Sequence, residues 1–267
     1  MNRRELNINE VKEIQLNILD DVYNFCKSNG IKMYLTAGTL LGAVRHSGYI
    51  PWDDDIDIAM LRNDYEMFLE KYSSDDCYLL STKNPHYPLP IAKVCMNNTQ
   101  IVEKSAVFNL CNKLDRIGVH IDIFPVDYIS GNDKHSQKII KKAILWRNLL
   151  VIKGMPLGTG IYAIKKLIIK AVLLPVPANV IAKHVDKIAS QNKYGSMCCS
   201  IGWGIGFREA VSSSVYSDSV DALFEGKKYP IPIGWDEWLT NRYGDYMKLP
   251  PEDQRVSNHN RKDYKLL

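Results

Sequence analysis

Tyr49-Ile-Pro-Trp-Asp-Asp-Asp-Ile-Asp-Ile-Ala-Met60 is the stretch on which the reading of this chain turns. Four of its twelve residues are carboxylates, Asp53, Asp54, Asp55 and Asp57, set among Ile, Trp and Met. Side chains of a strand alternate between its faces, which puts Asp53, Asp55 and Asp57 on one side and Asp54, Ile56 and Ile58 on the other. Three like charges on one face repel, and Asp is disfavoured in strands, so propensity alone does not select this arrangement. A divalent cation relieves the repulsion, because Mg²⁺ is held by one or two carboxylates together with substrate phosphates. A solvated acidic turn is the plainer reading. Apolar residues alternate with the acids as in a half-buried strand, and that favours the metal.

On the N-terminal side, Lys32 to Ala37 reads as a strand that Gly38-Thr39 breaks. Thr39 to Arg45 reads as a short helix, and Gly48 turns the chain into the acidic strand. Earlier still, Val11, Ile14, Ile18, Val22 and Phe25 recur at helical spacing, with Asn9 as the expected N-cap and Gly30 as the stop. On the C-terminal side, Leu61 to Tyr72 is expected to be helical, with Tyr65, Phe68 and Leu69 on one face. Cys77 to Ser81, Ile91 to Met96 and Gln100 to Glu103 read as short strands, with turn chemistry at Asn97-Asn98. Gly118 to Phe124 alternates, placing His120 and Asp122 on one face and Val119, Ile121 and Ile123 on the other. Pro125 is expected to end that strand.

A length of 267 residues can bury a full core, and 46% hydrophobic with 24% charged residues is ordinary for a soluble globular protein. The net charge of +4 does not by itself imply nucleic acid. The six cysteines form no CxxC pair and no Cys/His metal spacing, and the vicinal Cys198-Cys199 pair reads as two small buried residues. The polar start, Met1-Asn2-Arg3-Arg4-Glu5, lacks the apolar core of a signal peptide, so a reducing, cytoplasmic setting is expected.

The charge is unevenly spread. From Lys134 to Val185 there is no Asp or Glu, while ten Lys or Arg stand among apolar residues. Leu167 to Ile181 is nearly continuous apolar sequence, interrupted by Lys170 and broken by Pro175 and Pro177. It is too short and interrupted to span a bilayer, which needs about 20 apolar residues. Two readings stand side by side: basic helices lying on an anionic membrane, or a helical layer packed on the sheet with its lysines solvated. Nucleic-acid binding is weaker, since no motif for it accompanies the charge.

Three pieces carry chemistry. Gly38-Thr39 lies at a strand-to-helix junction, where free backbone N–H groups and the helix dipole favour a phosphate. The acidic strand follows after a helix and a return turn, and Asp122 adds a carboxylate from a separate strand. Glycine-then-hydroxyl, Asp-x-Asp and a later strand Asp form the pattern of the nucleotidyltransferase fold. In that fold Asp55 and Asp57 hold Mg²⁺, or Mn²⁺ in its place, while Asp122 completes the metal site and accepts the proton of an attacking hydroxyl. Clustering raises carboxylate pKa values, and metal charge keeps them ionised.

Ala37-Gly-Thr-Leu-Leu-Gly-Ala-Val-Arg-His-Ser-Gly-Tyr-Ile-Pro-Trp-Asp-Asp-Asp-Ile-Asp-Ile58 resembles the signature of the LicD family of phosphocholine transferases, itself similar to fukutin-type ribitol-phosphate transferases. His120-Ile-Asp-Ile-Phe-Pro-Val-Asp127 resembles the family's second motif. Arg242-Tyr-Gly-Asp-Tyr-Met, Leu249-Pro-Pro and Arg255 to His259 resemble its C-terminal block. The resemblance implies Mg²⁺-dependent transfer of phosphocholine from CDP-choline, or of a related group from another CDP-alcohol, to a sugar hydroxyl of teichoic acid or lipopolysaccharide. CMP would leave, and a lipid-linked acceptor would fit a peripheral position at the inner face of the plasma membrane, with no nucleic-acid partner.

Secondary candidates have competing roles. Arg45 and His46 close the first short helix and could contact phosphate or simply complement the helix dipole. Lys93 could reach a phosphate or stand solvated on its strand. His120 could touch substrate or be a satisfied core histidine. Asp53 is either a ligand or the cap of the turn after Trp52, and Asp127 reads as a loop carboxylate. Arg255 and His259 are candidate donor-phosphate contacts. Trp52, Trp203, Trp235, Trp238, Tyr243 and Tyr246 are the aromatics available to a choline cation.

The expected fold is α+β: a nucleotidyltransferase-like mixed β-sheet flanked by helices, with a basic helical insertion and a C-terminal aromatic-rich subdomain. The expected divisions are a catalytic core over 1–130, a basic segment over 131–190 and a C-terminal part over 191–267 that completes the substrate site. Two other functions fit less of the pattern: a nucleotidyltransferase acting on a small-molecule hydroxyl, and a non-catalytic membrane-surface binding module.

Overall fold

The computed structural model describes residues 2–159, 161–204, 206–256 and 261–267. The chain runs β1 (Arg3–Glu5), α1 (Ile8–Asn29), β2 (Tyr34–Leu35), α2 (Ala37–His46), β3 (Asp57–Leu61) and α3 (Arg62–Lys71). Next come β4 (Cys77–Leu80), β5 (Ala92–Met96), β6 (Thr99–Glu103), α4 (Ala106–Leu110) and β7 (His120–Ile129). Three helices follow, α5 (Lys134–Gly154), α6 (Ile161–Leu173) and α7 (Ala178–Ala189). The remainder is β8 (Met197–Cys199), β9 (Val211–Ser212), β10 (Ser219–Phe224), β11 (Lys227–Pro232), α8 (Trp235–Tyr243) and β12 (Arg261–Leu266).

Helix α1 begins earlier than the expected Asn9 cap. Asn7 accepts the Glu10 N–H at 3.1 Å while the Glu10 carboxylate accepts the Asn7 N–H at 2.9 Å. This capping box satisfies two otherwise orphaned donors, an arrangement Asn9 cannot supply from inside the first turn. Gly30 ends the helix in the left-handed conformation at φ 65°. The buried stripe of α1 is Val11, Gln15, Ile18, Leu19, Val22 and Cys26.

The main sheet has the order β2-β3-β7-β5-β4, with β8 and β9 continuing from the far half of β7. β3 and β7 are parallel, and the other pairs are antiparallel, so the sheet is mixed. β12 lies between β1 and β6 in a second sheet. Ile56, Ile58, Ile121, Ile123 and Val94 pack with Ile18, Leu19 and Val22 of α1 and Phe68 of α3 in one core. The chain is thus α+β, a mixed sheet flanked by helices.

Pro125 does not end β7, which continues to Ile129. The Asp122 N–H donates to Ile56 O on the β3 side, so even-numbered amides of β7 face β3 and odd-numbered ones face the opposite edge. On that edge the β5 pairing stops at Ile123 and the β8 pairing starts at Asp127. The missing N–H of Pro125 falls in the gap, where no ladder bond is lost.

Asp127 therefore lies in a strand, not a loop, and is fully buried. Arg62 Nε donates to its Oδ1 at 2.7 Å, and Arg62 Nη1 reaches Asp186 Oδ1 at 2.8 Å. This ion group ties α3, β7 and α7 together and fixes the basic segment to the sheet. α5 and α7 share a further core of Ile139, Ile140, Ala143, Val185 and Ile188. Among the described residues no helix is long and apolar enough to cross a membrane. All six cysteines are free and buried.

Candidate functional site

Asp57 opens β3, Asp122 lies opposite it on β7, and Lys93 lies opposite Asp122 on β5. The three form one row across adjacent strands, so their side chains share a face of the sheet. The β3 ladder begins only at Asp57, yet the alternation holds from Asp53 onward: 54, 56 and 58 are buried, and 53, 55 and 57 are half-buried. Two distant residues fix this parity. Gln15 Nε2 donates to Asp54 O at 3.1 Å, and Arg261 Nη2 donates to the same carbonyl at 2.7 Å. Arg261 Nε also lies 3.7 Å from Asp54 Oδ2, so Asp54 turns inward to a cation while its neighbours turn outward.

The backbone of Asp57 is held at both ends. The Thr36 N–H donates to Asp57 O at 3.1 Å, and the Asp57 N–H donates to Thr39 Oγ1 at 2.8 Å. Thr39 is buried, so its hydroxyl clamps the acidic strand to the start of α2. Gly38 permits another close approach, because a Cβ there would stand 2.5 Å from Asp53 Oδ2. Thr39 is thus engaged by the chain's own acidic segment, and Gly38 lies against it. Ala37, between Thr36 and this pair, has φ 48°, a left-handed conformation costly for a residue with a Cβ.

Electrostatics separate the two row carboxylates. Burial pushes the Asp57 carboxyl well above its ordinary range, and the charges of Asp55, Asp122 and Asp53 push it the same way. Burial also raises Asp122, but Lys93 outweighs it and, with His120 and a hydrogen bond from Lys93, holds that carboxyl below its ordinary value. The Lys93 ammonium donates to Asp122 Oδ1 at 2.5 Å and to His120 Nε2 at 2.8 Å. His120 Nδ1 donates to Gly118 O at 2.9 Å, which leaves Nε2 as the acceptor. Burial first, and Lys93 next, push the His120 pKa down to about 3, so the ring is neutral. His120 and Lys93 are therefore brought together with Asp122 as one hydrogen-bonded unit.

Crowded, half-buried carboxylate oxygens of this kind fit a hard divalent cation, for which one or two carboxylates and substrate phosphates suffice. Among the described residues no three His, Cys, Asp or Glu side chains converge as a ready metal cage. Asp55 and Asp57, which share the outward face of the acidic segment, are the carboxylates that would hold such a cation.

Asp57 also lines a cavity of about 270 Å³. Its walls include Phe124, Trp203, Tyr216 and Trp238, and Glu209 and Arg242 supply its other charges. Arg242 Nη1 meets Glu209 Oε1 at 2.9 Å. Gly204 lets Glu209 come close, since a Cβ at that position would collide with the Glu209 carboxylate. The Gly204 carbonyl accepts from Arg147 of α5, whose guanidinium stands 5.9 Å from the Trp203 ring centroid. Of the aromatic candidates, only Trp203 and Trp238 line this cavity. Glu209 is not among the sequence candidates and Arg242 enters them only through the C-terminal block; the Gly-Trp-Gly run before Glu209 and the Arg-Tyr-Gly run at Arg242 are the available signals for this cavity.

A second cluster gathers at the C-terminal end of α2. Arg45 Nε donates to His46 Nε2 at 3.0 Å, and Arg45 Nη1 donates to Tyr246 O at 2.7 Å. His46 meets the Trp52 ring edge-on at 6.4 Å, and the Arg255 guanidinium lies 5.9 Å from the same ring. Arg255 Nε donates to Pro250 O at 2.9 Å. Tyr243 meets Trp238 edge-on with ring centroids 6.3 Å apart, and the Arg242 guanidinium lies 5.6 Å from its ring. His259 lies outside the described residues.

The model of the LicD/FKTN/FKRP nucleotidyltransferase domain matches residues 30–146. The lipopolysaccharide cholinephosphotransferase LicD of Haemophilus influenzae is 29% identical over 284 aligned positions, covering 98% of this chain and 100% of that protein. An uncharacterized protein of Rickettsia typhi is 45% identical over 58 residues, which are 21% of this chain and 19% of that protein. Another from Rickettsia prowazekii is 47% identical over 47 residues, 18% of each chain. The matched span contains the Asp57–Asp122–Lys93 row and the Thr39 clamp, so the likeness to the LicD/FKTN/FKRP nucleotidyltransferase domain falls on the part of the chain that carries the acidic site.

Proposed function

We propose that this chain transfers phosphocholine from CDP-choline to a sugar hydroxyl of a cell-surface glycan, lipopolysaccharide or teichoic acid, and releases CMP. The observation that carries the reading is the junction of an acidic row with an aromatic cavity. Asp57 belongs to both, and the cavity pairs Trp203 and Trp238 with the acid Glu209. Aromatic faces attract a quaternary ammonium through their quadrupole. A cavity of about 270 Å³ suits a small alcohol head better than a whole nucleotide. The full-length likeness to a named cholinephosphotransferase supports the same substrate class.

In the proposed reaction the sugar oxygen attacks the phosphorus distal to cytidine. A new P–O bond forms, the P–O bond to the CMP phosphate breaks, and the electron pair leaves with CMP. Asp122, kept ionised by Lys93, accepts the hydroxyl proton. His120 holds Lys93 in place through its Nε2 acceptor. Asp55 and Asp57 would hold Mg²⁺ or Mn²⁺, which when bound neutralises charge on the diphosphate. Arg45, His46 and Arg255 stand ready for the CMP end of the donor. A lipid-linked acceptor would bring the reaction to the inner face of the plasma membrane.

The test incubates the protein with Mg²⁺, lipopolysaccharide and, in separate reactions, CDP-choline, CDP-glycerol, CDP-ribitol or CTP, and measures CMP and pyrophosphate. Acceptor-dependent CMP release that is fastest from CDP-choline supports the proposal. Pyrophosphate release from CTP would assign nucleotidyl transfer instead. No turnover of any donor would leave a binding module.

A further inference from the structure

α6 carries its apolar stripe on the outside. Ile164, Leu167, Ile168, Ala171 and Val172 recur at the i, i+3, i+4, i+7 and i+8 positions of one helical face. Ile164 is 59%, Leu167 54%, Ile168 59% and Val172 69% exposed. The opposite face holds Ala163, Lys166, Ile169, Lys170 and Leu173, which are half-buried or buried. Lys170 Nζ donates to Met155 O at 2.5 Å, so a lysine points inward while isoleucines point to water. A helix that covers a core has the reverse polarity.

The charge around this helix is one-sided. Lys134, Lys138, Lys141 and Lys142 line a cleft along α5, beside an exposed Leu145. Residues 134–185 hold ten Lys or Arg and no acid, whereas the rest of the chain holds 24 basic and 30 acidic residues. Lys165 is exposed at the margin of the stripe, with its Nζ 6.0 Å from the ring of Tyr162, which is itself 74% exposed.

We propose that α6 lies in the headgroup layer of an anionic lipid bilayer, its aliphatic stripe buried among the acyl chains and the lysines of the segment drawn to lipid phosphates. Protein interfaces are rich in Trp, Tyr, Met and Arg at their centres and poor in Lys. This stripe is Ile, Leu, Val and Ala in a field of lysines, which is the composition of an interfacial helix. Its 13 residues span only about 20 Å, against a hydrocarbon core of about 30 Å, so the helix lies on the membrane and does not cross it. The surface goes beyond the transfer reaction and requires neither donor nor metal, so its failure would leave that reaction standing.

The test is co-sedimentation of the full chain with vesicles of phosphatidylcholine alone and of phosphatidylcholine mixed with phosphatidylglycerol. The wild type is expected to bind the mixed vesicles, more weakly at high salt, and to leave the neutral ones in solution. Ile168→Glu with Val172→Glu replaces two exposed side chains and is expected to lower partition by at least about tenfold with an unchanged circular dichroism spectrum. Lys141→Glu with Lys142→Glu is expected to reproduce the effect of salt. Absence of wild-type binding, or equal binding by the stripe variant, would overturn the proposal. So would a dimer seen by sedimentation velocity that the stripe variant abolishes, because a second copy would then be the occupant.

Discussion

Thr39→Val separates the two roles open to that hydroxyl. The substitution is nearly isosteric and removes only the acceptor that the Asp57 N–H meets at 2.8 Å. Thr39 is 3% exposed, so water cannot replace the lost partner. A buried donor left unsatisfied costs about 1–3 kcal/mol. At about 2–4 °C per kcal/mol for chains near this length, the melting temperature is expected to fall by roughly 2–12 °C. Thr39→Ser keeps the hydroxyl and should recover most of the loss, short of about 1 kcal/mol for the missing methyl group. Because the hydroxyl faces the acidic strand, Thr39→Val should lower kcat by displacing Asp57 and leave the donor KM within about twofold. Thermal melts and steady-state CMP release measure both. A Thr39→Val protein with wild-type stability and a sharply raised donor KM would show that the hydroxyl binds phosphate and that the clamp is incidental.

Arg62→Met strands the buried Asp127 carboxylate and should cost about 3–5 kcal/mol in urea unfolding, while Arg62→Met with Asp127→Leu should recover most of it; a single-variant loss below about 1 kcal/mol would refute this. Trp203→Ala should raise the KM for CDP-choline by about tenfold and leave that for CDP-glycerol nearly unchanged, since only the quaternary ammonium draws on the ring. An equal rise for both donors would place the indole on the shared diphosphate or cytidine.

The parity of the acidic segment was legible because burial of Ile56 and Ile58 dictates which acids face outward, whether or not a ladder has begun. The alternation of His120 and Asp122 was legible on the same ground. What failed depended on partners distant in sequence. Pro125 sits inside β7 because two different strands share its outer edge, and Asp127 is a strand residue because Arg62 satisfies it. Arg261, which anchors Asp54 from β12, left no mark at the acidic stretch. Gln15 did leave one: it is a polar residue at a core position between Val11 and Ile18 in the apolar stripe of α1, where only a specific partner justifies an amide. Thr39 stands out in the sequence beside Gly38, but the Asp57 N–H that its hydroxyl accepts lies 18 residues away and leaves no local sign. Glu209 belongs to the cavity only because the chain after β8 returns beside β3, a topology that local spacing does not reveal.

The central claim rests on Asp57, and Asp57→Asn tests it most directly. The change removes a charge that burial and three neighbouring acids already oppose, so the variant should be at least as stable as the wild type. CMP release from CDP-choline in the presence of Mg²⁺ and acceptor should fall by at least roughly a thousandfold. Folded Asp57→Asn protein that releases CMP at the wild-type rate would contradict the account.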